Sequence, residues 1–243
     1  MTMRRIIRYW LDRPPRTEID LSQCKYLLFD GTYLKKRHTA IVGIADPIHR
    51  SIVIGCYGLK EGERRMVAFC EQLAQEGLQP ISVTIDGLKQ VQTMLVATWP
   101  SVIVQRCLVH IQRQGLSWCR RDPHTAAVKH LRRLFDHVTR IKSITDRDHF
   151  LDAWNTWEER FGQPIAIRPS RGKVFSDVKR ARSLLRYALP HMFWYLEDPN
   201  IPYSTNWLEG YFSRLKSRYR QHRGLSPDHC ANYFKWYFEL CKT

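Results

Sequence analysis

Three acidic residues stand in surroundings that give them chemical meaning. Asp30 lies within Leu27-Leu28-Phe29-Asp30-Gly31-Thr32-Tyr33, Asp86 closes Ile81-Ser82-Val83-Thr84-Ile85-Asp86-Gly87, and Glu209 sits in Thr205-Asn206-Trp207-Leu208-Glu209-Gly210. The first two end or interrupt apolar, β-branched strands, and the third opens a helix whose following turns are almost purely basic. A carboxylate in an apolar strand is costly unless something compensates it, and a divalent cation does so economically. A basic chain that keeps carboxylates at such places has the make-up to bring Mg²⁺, with Mn²⁺ as a substitute, to a polyanion.

Each acid also has a structural reading. Asp30-Gly31 is a two-residue hairpin signal, although strand character resumes at once in Thr32-Tyr33-Leu34 and Lys35–His38 makes the better turn. Asp86 can cap a helix starting at Leu88, and Glu209 can be the third residue of a capping box with Asn206. Capping and catalysis are compatible. Two metals about 3.5–4 Å apart need carboxylates drawn from separate elements, and this order of Asp, Asp and Glu supplies them.

Lys and Arg number 39 against 23 acidic residues, a formal charge of +16. Such an excess is best tolerated when a phosphate backbone is the usual neighbour. With 44% hydrophobic residues and eight Trp the chain has the material for a sizeable core rather than a basic tail. Seven scattered cysteines without a CxxC pair point to a reduced, cytosolic protein. No apolar run reaches signal-peptide or transmembrane length, so membranes are excluded as partners.

The elements that must position the acids follow from periodicity. Residues 1–11 have the pattern of a basic amphipathic helix, closed by Pro14-Pro15 and a polar linker to about Ser22. Strands are predicted at 25–34, 39–45 and 51–57, with connections so short that neighbours must be antiparallel. A helix follows at about 62–76, a strand at 80–85, a helix at 88–98, a strand at 101–105 and a helix from about 106. This is the order of a ribonuclease H-like α/β domain, a three-strand antiparallel meander followed by βαβα. A right-handed crossover would return the fourth strand beside the first, bringing Asp30 and Asp86 onto neighbouring strands. Residues 121–200 carry helical periodicity only and are expected to form an all-helical insertion before the last catalytic helix. Helices at about 206–220 and 228–241 end the chain. The expected division is a basic stub at 1–22, the first part of the core at 23–120, the insertion at 121–200 and the completing helices at 201–243.

Phe29-Asp30-Gly31-Thr32-Tyr33, Cys107-Leu108-Val109-His110 and Thr205-Asn206-Trp207-Leu208-Glu209-Gly210 resemble motifs of Mutator-like bacterial insertion-sequence transposases. The last string runs into Leu215-Lys216 and His222-Arg223-Gly224-Leu225-Ser226, which extends the likeness. The resemblance covers about residues 24–240. It implies a DDE enzyme that cleaves double-stranded DNA at transposon ends and joins the freed 3′-OH to target DNA. Asp30, Asp86 and Glu209 would then be both the catalytic and the metal-binding residues, holding two Mg²⁺. The rival readings are a ribonuclease H-like nuclease without strand transfer, and a truncated or domesticated transposase that only binds DNA.

The resemblance also implies a possible homodimer, no small-molecule cofactor, and a cytoplasmic, nucleoid-associated bacterial protein. It gives His110 an accessory role near the acidic site, and a packed Cys107 with a hydrogen-bonded His110 remains the alternative. Zinc held by Cys107, His110, Cys119 and His124 is disfavoured because the spacing matches no common zinc module. Family members carry an N-terminal DNA-binding module. Only Arg4, Arg5, Arg8, Trp10, Arg13 and Arg16 precede the first strand, so a truncated chain or an internal start is expected.

Arg214, Lys216, Arg218, Arg220, His222 and Arg223 follow Glu209 without an intervening acid. Ser213, Lys216 and Arg220 share the helix face of Glu209, suited to track a DNA backbone without reading it. Trp154, Trp157 and Phe193-Trp194-Tyr195 are assigned to the insertion's core, with stacking on unpaired bases as the other possibility.

Overall fold

The computed structural model describes residues 2–15, 19–34, 40–59, 64–169, 172–222 and 224–241. In chain order the main elements are α1 (Met3–Leu11), β1 (Tyr26–Tyr33), β2 (Ala40–Asp46), β3 (Ser51–Tyr57), α2 (Arg64–Gln75), β4 (Ser82–Ile85), α3 (Lys89–Thr98) and β5 (Ile103–Arg106). There follow α4 (Leu108–Cys119), α5 (Ala126–His137), α6 (Ile144–Trp157), α7 (Gln163–Ile167), α8 (Gly172–Ala188), α9 (Asn206–Tyr219) and α10 (Pro227–Leu240). The protein is of mixed α/β class. The expected turn at Lys35–His38 and the start of the helix at 62 lie outside the described residues.

The chain forms two compact units, Met1–Val104 with Asn200–Thr243, and Gln105–Pro199. In the first, the strand order is β3-β2-β1-β4-β5. β1 is antiparallel to β2 and parallel to β4, and β2 is antiparallel to β3. Side chains alternate across a strand, and β1 uses both faces. Leu27 and Phe29 enter one cluster with Met66, Cys70 and Leu73 of α2 and Val91, Met94 and Leu95 of α3. Leu28 enters the other, with Ile41, Leu208, Phe212, Leu215 and Phe234. The sheet is therefore the middle layer between α2–α3 and α9–α10, and α9 is held to it by apolar contacts along its length.

The basic N-terminal stretch is an ordered part of this unit. Trp10 meets Trp236 of α10 edge-on, with ring centroids 5.2 Å apart. Trp236 Nε1 donates to the carbonyls of Trp10 and Arg13 at 2.9 and 2.8 Å, and Asn232 Nδ2 donates to that of Leu11 at 2.8 Å.

The second unit is all-helical among its described residues apart from the end of β5, and it begins earlier than residue 121. The cause is packing: α4 lies against α5 and α8, and Leu108, Ile111 and Cys119 share one core with Leu131, Phe135, Trp154, Trp157 and Leu185. Gln105 Nε2 donates to the Met192 carbonyl at 2.9 Å, tying the end of β5 into the same unit. Trp154 and Trp157 are buried and stacked at 5.5 Å, so they are core residues as expected.

Gly115 lets α4 and α5 approach. A Cβ there would lie 2.1–2.4 Å from three carbons of the Phe135 ring. Ala is favoured over Gly in a helix by about 1 kcal/mol, yet Gly115→Ala should destabilise by about 1–3 kcal/mol, because overpacking against a stiff ring outweighs propensity. Denaturant unfolding of the variant, alone and with Phe135→Leu, checks this. A stabilised Gly115→Ala protein would contradict it.

Candidate active site

Asp30 is within β1 rather than in a turn. It pairs with Gly43 of β2, and its carboxylate Oδ1 accepts the Gly31 N–H at 2.8 Å. It is buried, with 8% of its surface exposed. On the other side of β1, Leu28 is in register with Thr84 of β4. The parallel pairing of β1 with β4 ends at this pair, two residues before Asp30 on one strand and two before Asp86 on the other. Asp86 lies one residue past the end of β4, half-buried, and its Oδ1 accepts the Leu88 N–H at 3.1 Å. It therefore forms a turn ahead of α3, whose N-cap is Leu88 rather than Asp86.

Alternation decides which face Asp30 takes. Leu27, Phe29, Val83 and Ile85 belong to the α2–α3 cluster, so Asp30, within β1, is on the α9–α10 side with Leu28. Thr84, of the same parity, donates through Oγ1 to the Pro202 carbonyl at 2.6 Å. That bond anchors the segment entering α9 beside Asp86.

Glu209 is in the first turn of α9, half-buried, its N–H donating to the Thr205 carbonyl at 3.0 Å. The N-cap is Thr205 and makes no side-chain cap bond, so the capping box with Asn206 is not formed. A Cβ on Gly43, the β2 partner of Asp30, would lie 2.9 Å from Phe212 Cζ and 3.5 Å from Leu208 Cδ1. The residues flanking Glu209 therefore cross the sheet at the level of Asp30. Further along, Lys216 Nζ donates to Thr32 Oγ1 at 2.7 Å.

Asp30 lies within β1, Asp86 directly after β4, the parallel neighbour of β1, and Glu209 in the first turn of α9, which packs on the β1–β2 part of the sheet. Their side chains are not drawn into a coordination shell: among the described residues no group of three or more His, Cys, Asp or Glu is close enough to hold a metal ion. A second buried carboxylate, Asp46, is accounted for structurally, accepting the N–H groups of Ile48 and His49 at 2.9 and 3.2 Å and meeting His49 Nδ1 at 2.7 Å.

The basic residues after Glu209 separate onto two flanks of α9. At 100° per residue, Lys216 and Arg220 fall on the Glu209 side and Arg214 and Arg218 on the opposite side of the buried stripe Leu208-Phe212-Leu215. Lys216 is half-buried; Arg214, Arg218, Arg220 and His222 are exposed. Arg214 lies over the Tyr211 ring, 5.9 Å from its centroid. Arg223 lies outside the described residues.

Cys107 and His110 belong to the second unit, Cys107 fully buried at the N-cap of α4 and His110 half-buried in its first turn. Burial pushes the Cys119 thiol up to about 12. Cys119 is buried in the core of the second unit with Leu108, Ile111 and Phe135, a packing position.

The transposase model of the Mutator family matches residues 16–233, and the chain belongs to that family. Among relatives, it is 22% identical over 200 residues to the transposase for insertion sequence element IS905 of Lactococcus lactis, covering 78% of this chain and 46% of that one. It is 35% identical over 137 residues to a probable insertion-sequence transposase of Corynebacterium diphtheriae, covering 51% and 40%. The transposase for ISRM3 of Rhizobium meliloti is 24% identical over 173 residues, 70% and 39%. The chain spans less than half the length of each of these relatives. No described helix is long and apolar enough to cross a membrane.

Proposed function

We propose that this chain carries the catalytic core of a DDE transposase, cutting DNA at transposon ends and joining the freed 3′-OH to target DNA. The observation that carries the reading is a buried Asp30 in β1 on the sheet face where α9, with Glu209 in its first turn, packs, and an Asp86 that directly follows β4, the parallel neighbour of β1. The sheet order β3-β2-β1-β4-β5, with its antiparallel meander and β4 parallel to β1, supports a ribonuclease H-like core. Family membership supports the transposition chemistry.

The donor set fits Mg²⁺ or Mn²⁺: three carboxylates from three elements, all hard oxygen ligands. Asp30, Asp86 and Glu209 would hold the metal, side-chain rotation completing what the backbone has already gathered. When bound, Mg²⁺ polarises the scissile phosphate and lowers the pKa of the attacking hydroxyl. The protein's own share is positional. β1 holds Asp30 on backbone paired with β2, and Asp86 follows directly on β4 in a turn closed by the Leu88 N–H. α9 carries the third carboxylate and, on the same flank, Lys216 and Arg220 to hold the phosphates leading away from the scissile one.

Joining of a short duplex with a pre-exposed 3′-OH to a supercoiled plasmid in Mg²⁺ tests the reading. A covalent joint is expected; plasmid nicking without joining would make the protein a nuclease, and binding without either would make it a DNA-binding protein.

The two flanks of α9 give a separate test. Lys216→Ala with Arg220→Ala should weaken binding to all duplexes alike and reduce the log–log salt slope by about one unit per lost phosphate contact. Arg214→Ala with Arg218→Ala should do less. Equal losses from the two pairs would show that the phosphate path does not follow the Glu209 flank.

A further inference from the structure

The second unit contains a cavity of about 630 Å³ between α5 and α6, within the size range of small-ligand sites. Its floor is apolar and aromatic: Leu134, Ile141, Phe150, Trp157 and Phe161. Its rim is cationic, carrying Arg133, Arg140 and Arg160 together with His130, His137 and His149. The rim residues are exposed, and helical spacing puts them on facing sides of the two helices.

Among the described residues no ion pair engages the three arginines of this rim. Asp146 is the one carboxylate lining the cavity, and its Oδ2 accepts the Lys142 and Ser143 N–H groups at 2.9 and 3.0 Å in the capping box that starts α6. Glu158, close to Arg160 in sequence, is engaged by Arg182, whose Nε donates to its two oxygens at 3.0 and 2.8 Å. Among the described residues no carboxylate pairs with Arg133, Arg140 or Arg160. The Arg160 guanidinium lies over the Phe161 ring at 5.0 Å, and His130 meets the same ring edge-on at 5.9 Å.

Cations converging without a counter-charge repel one another, and an anion relieves that. Inorganic phosphate would use the guanidinium groups and leave the aromatic floor idle; a neutral aromatic would do the reverse. A flat aromatic body that carries a phosphate uses both. We propose that this cavity binds one nucleotide unit, the base against the half-buried Phe161 ring and the phosphate on the arginine rim. The unit comes either from an unpaired position in a DNA strand or from a free nucleotide. The site is built from residues of the second unit alone and does not depend on strand cleavage.

The test uses the full chain without Mg²⁺, so that cleavage plays no part. Two probes are compared by fluorescence anisotropy: a paired duplex, and the same duplex with one unpaired nucleotide. dAMP is titrated separately by calorimetry. Arg133→Gln/Arg140→Gln/Arg160→Gln removes the rim charge, and Ala153→Phe fills the cavity while leaving every charge in place. For a strand source, the bulged duplex should bind about tenfold tighter than the paired one, the scale of one base stacked on an aromatic. For a free-nucleotide source, dAMP should bind alone. Either signal should vanish in both variants while paired-duplex affinity falls less than the signal. Absence of both signals in the unaltered chain would overturn the proposal, as would a signal that survives Ala153→Phe, or equal loss on both duplexes in the rim variant.

Discussion

Asp30→Asn, Asp86→Asn and Glu209→Gln are each expected to lower Mg²⁺-dependent strand cleavage by about 10³-fold or more, the scale of about 4 kcal/mol of lost transition-state stabilisation. Each change keeps the side chain's shape and removes only its charge. An Asn oxygen at 30 can still accept the Gly31 N–H, and one at 86 can still accept the Leu88 N–H, so the local turns survive. Thermal melting and non-specific DNA binding should therefore stay close to those of the unaltered chain. Cleavage retained by any one variant removes that residue from the site. A matching collapse in melting temperature would instead assign the residue to the fold.

Phe212→Ala is expected to cost about 3–5 kcal/mol of stability and, in what remains folded, to loosen Glu209 from the sheet. Phe212 is buried in the cluster that joins α9 to β1 and β2, with its ring against Gly43. The close approach supplies a sharper test. Gly43→Ala should destabilise by about 1–3 kcal/mol because its Cβ meets the Phe212 ring, and Phe212→Leu in the same chain should relieve part of that. Urea unfolding of the single and double variants gives the coupling. Strict additivity would show that α9 does not rest on the sheet at Gly43.

Much of this was legible in the residues themselves. Apolar runs broken by short turns specified β1, β2 and β3. Alternating strand and helix patterns specified β4 and α3, and the acid-free basic run after Glu209 marked the exposed flanks of α9. These are local signals, and periodicity reads them directly. The family likewise emerged from ordered short motifs around Asp30, Cys107 and Glu209, and the comparison over residues 16–233 bears it out.

Other features depended on partners distant in the chain. The residues after β5 have the same helical periodicity whether they cover a sheet or join a bundle. Only the packing of Gly115 under Phe135 assigns α4 to the helical unit. Asn206 and Glu209 have the spacing of a capping box, but the anchoring of the preceding segment to Thr84 leaves Thr205 at the N-cap. The basic side chains at 133, 140 and 160 belong to separate segments of sequence, and the spacing of α5 from α6 gathers them over one aromatic floor.

By itself, then, the sequence determined the kinds of element, the basic character and the acidic residues with catalytic potential, because each is set by local composition and period. The tertiary structure decided the parallel register of β4 beside β1, the sheet face on which α9 packs, and the cavity between α5 and α6. Register and helix spacing are settled by the fit of side chains far apart in the chain, and a one-residue slip of β4 would turn its side chains to the opposite face.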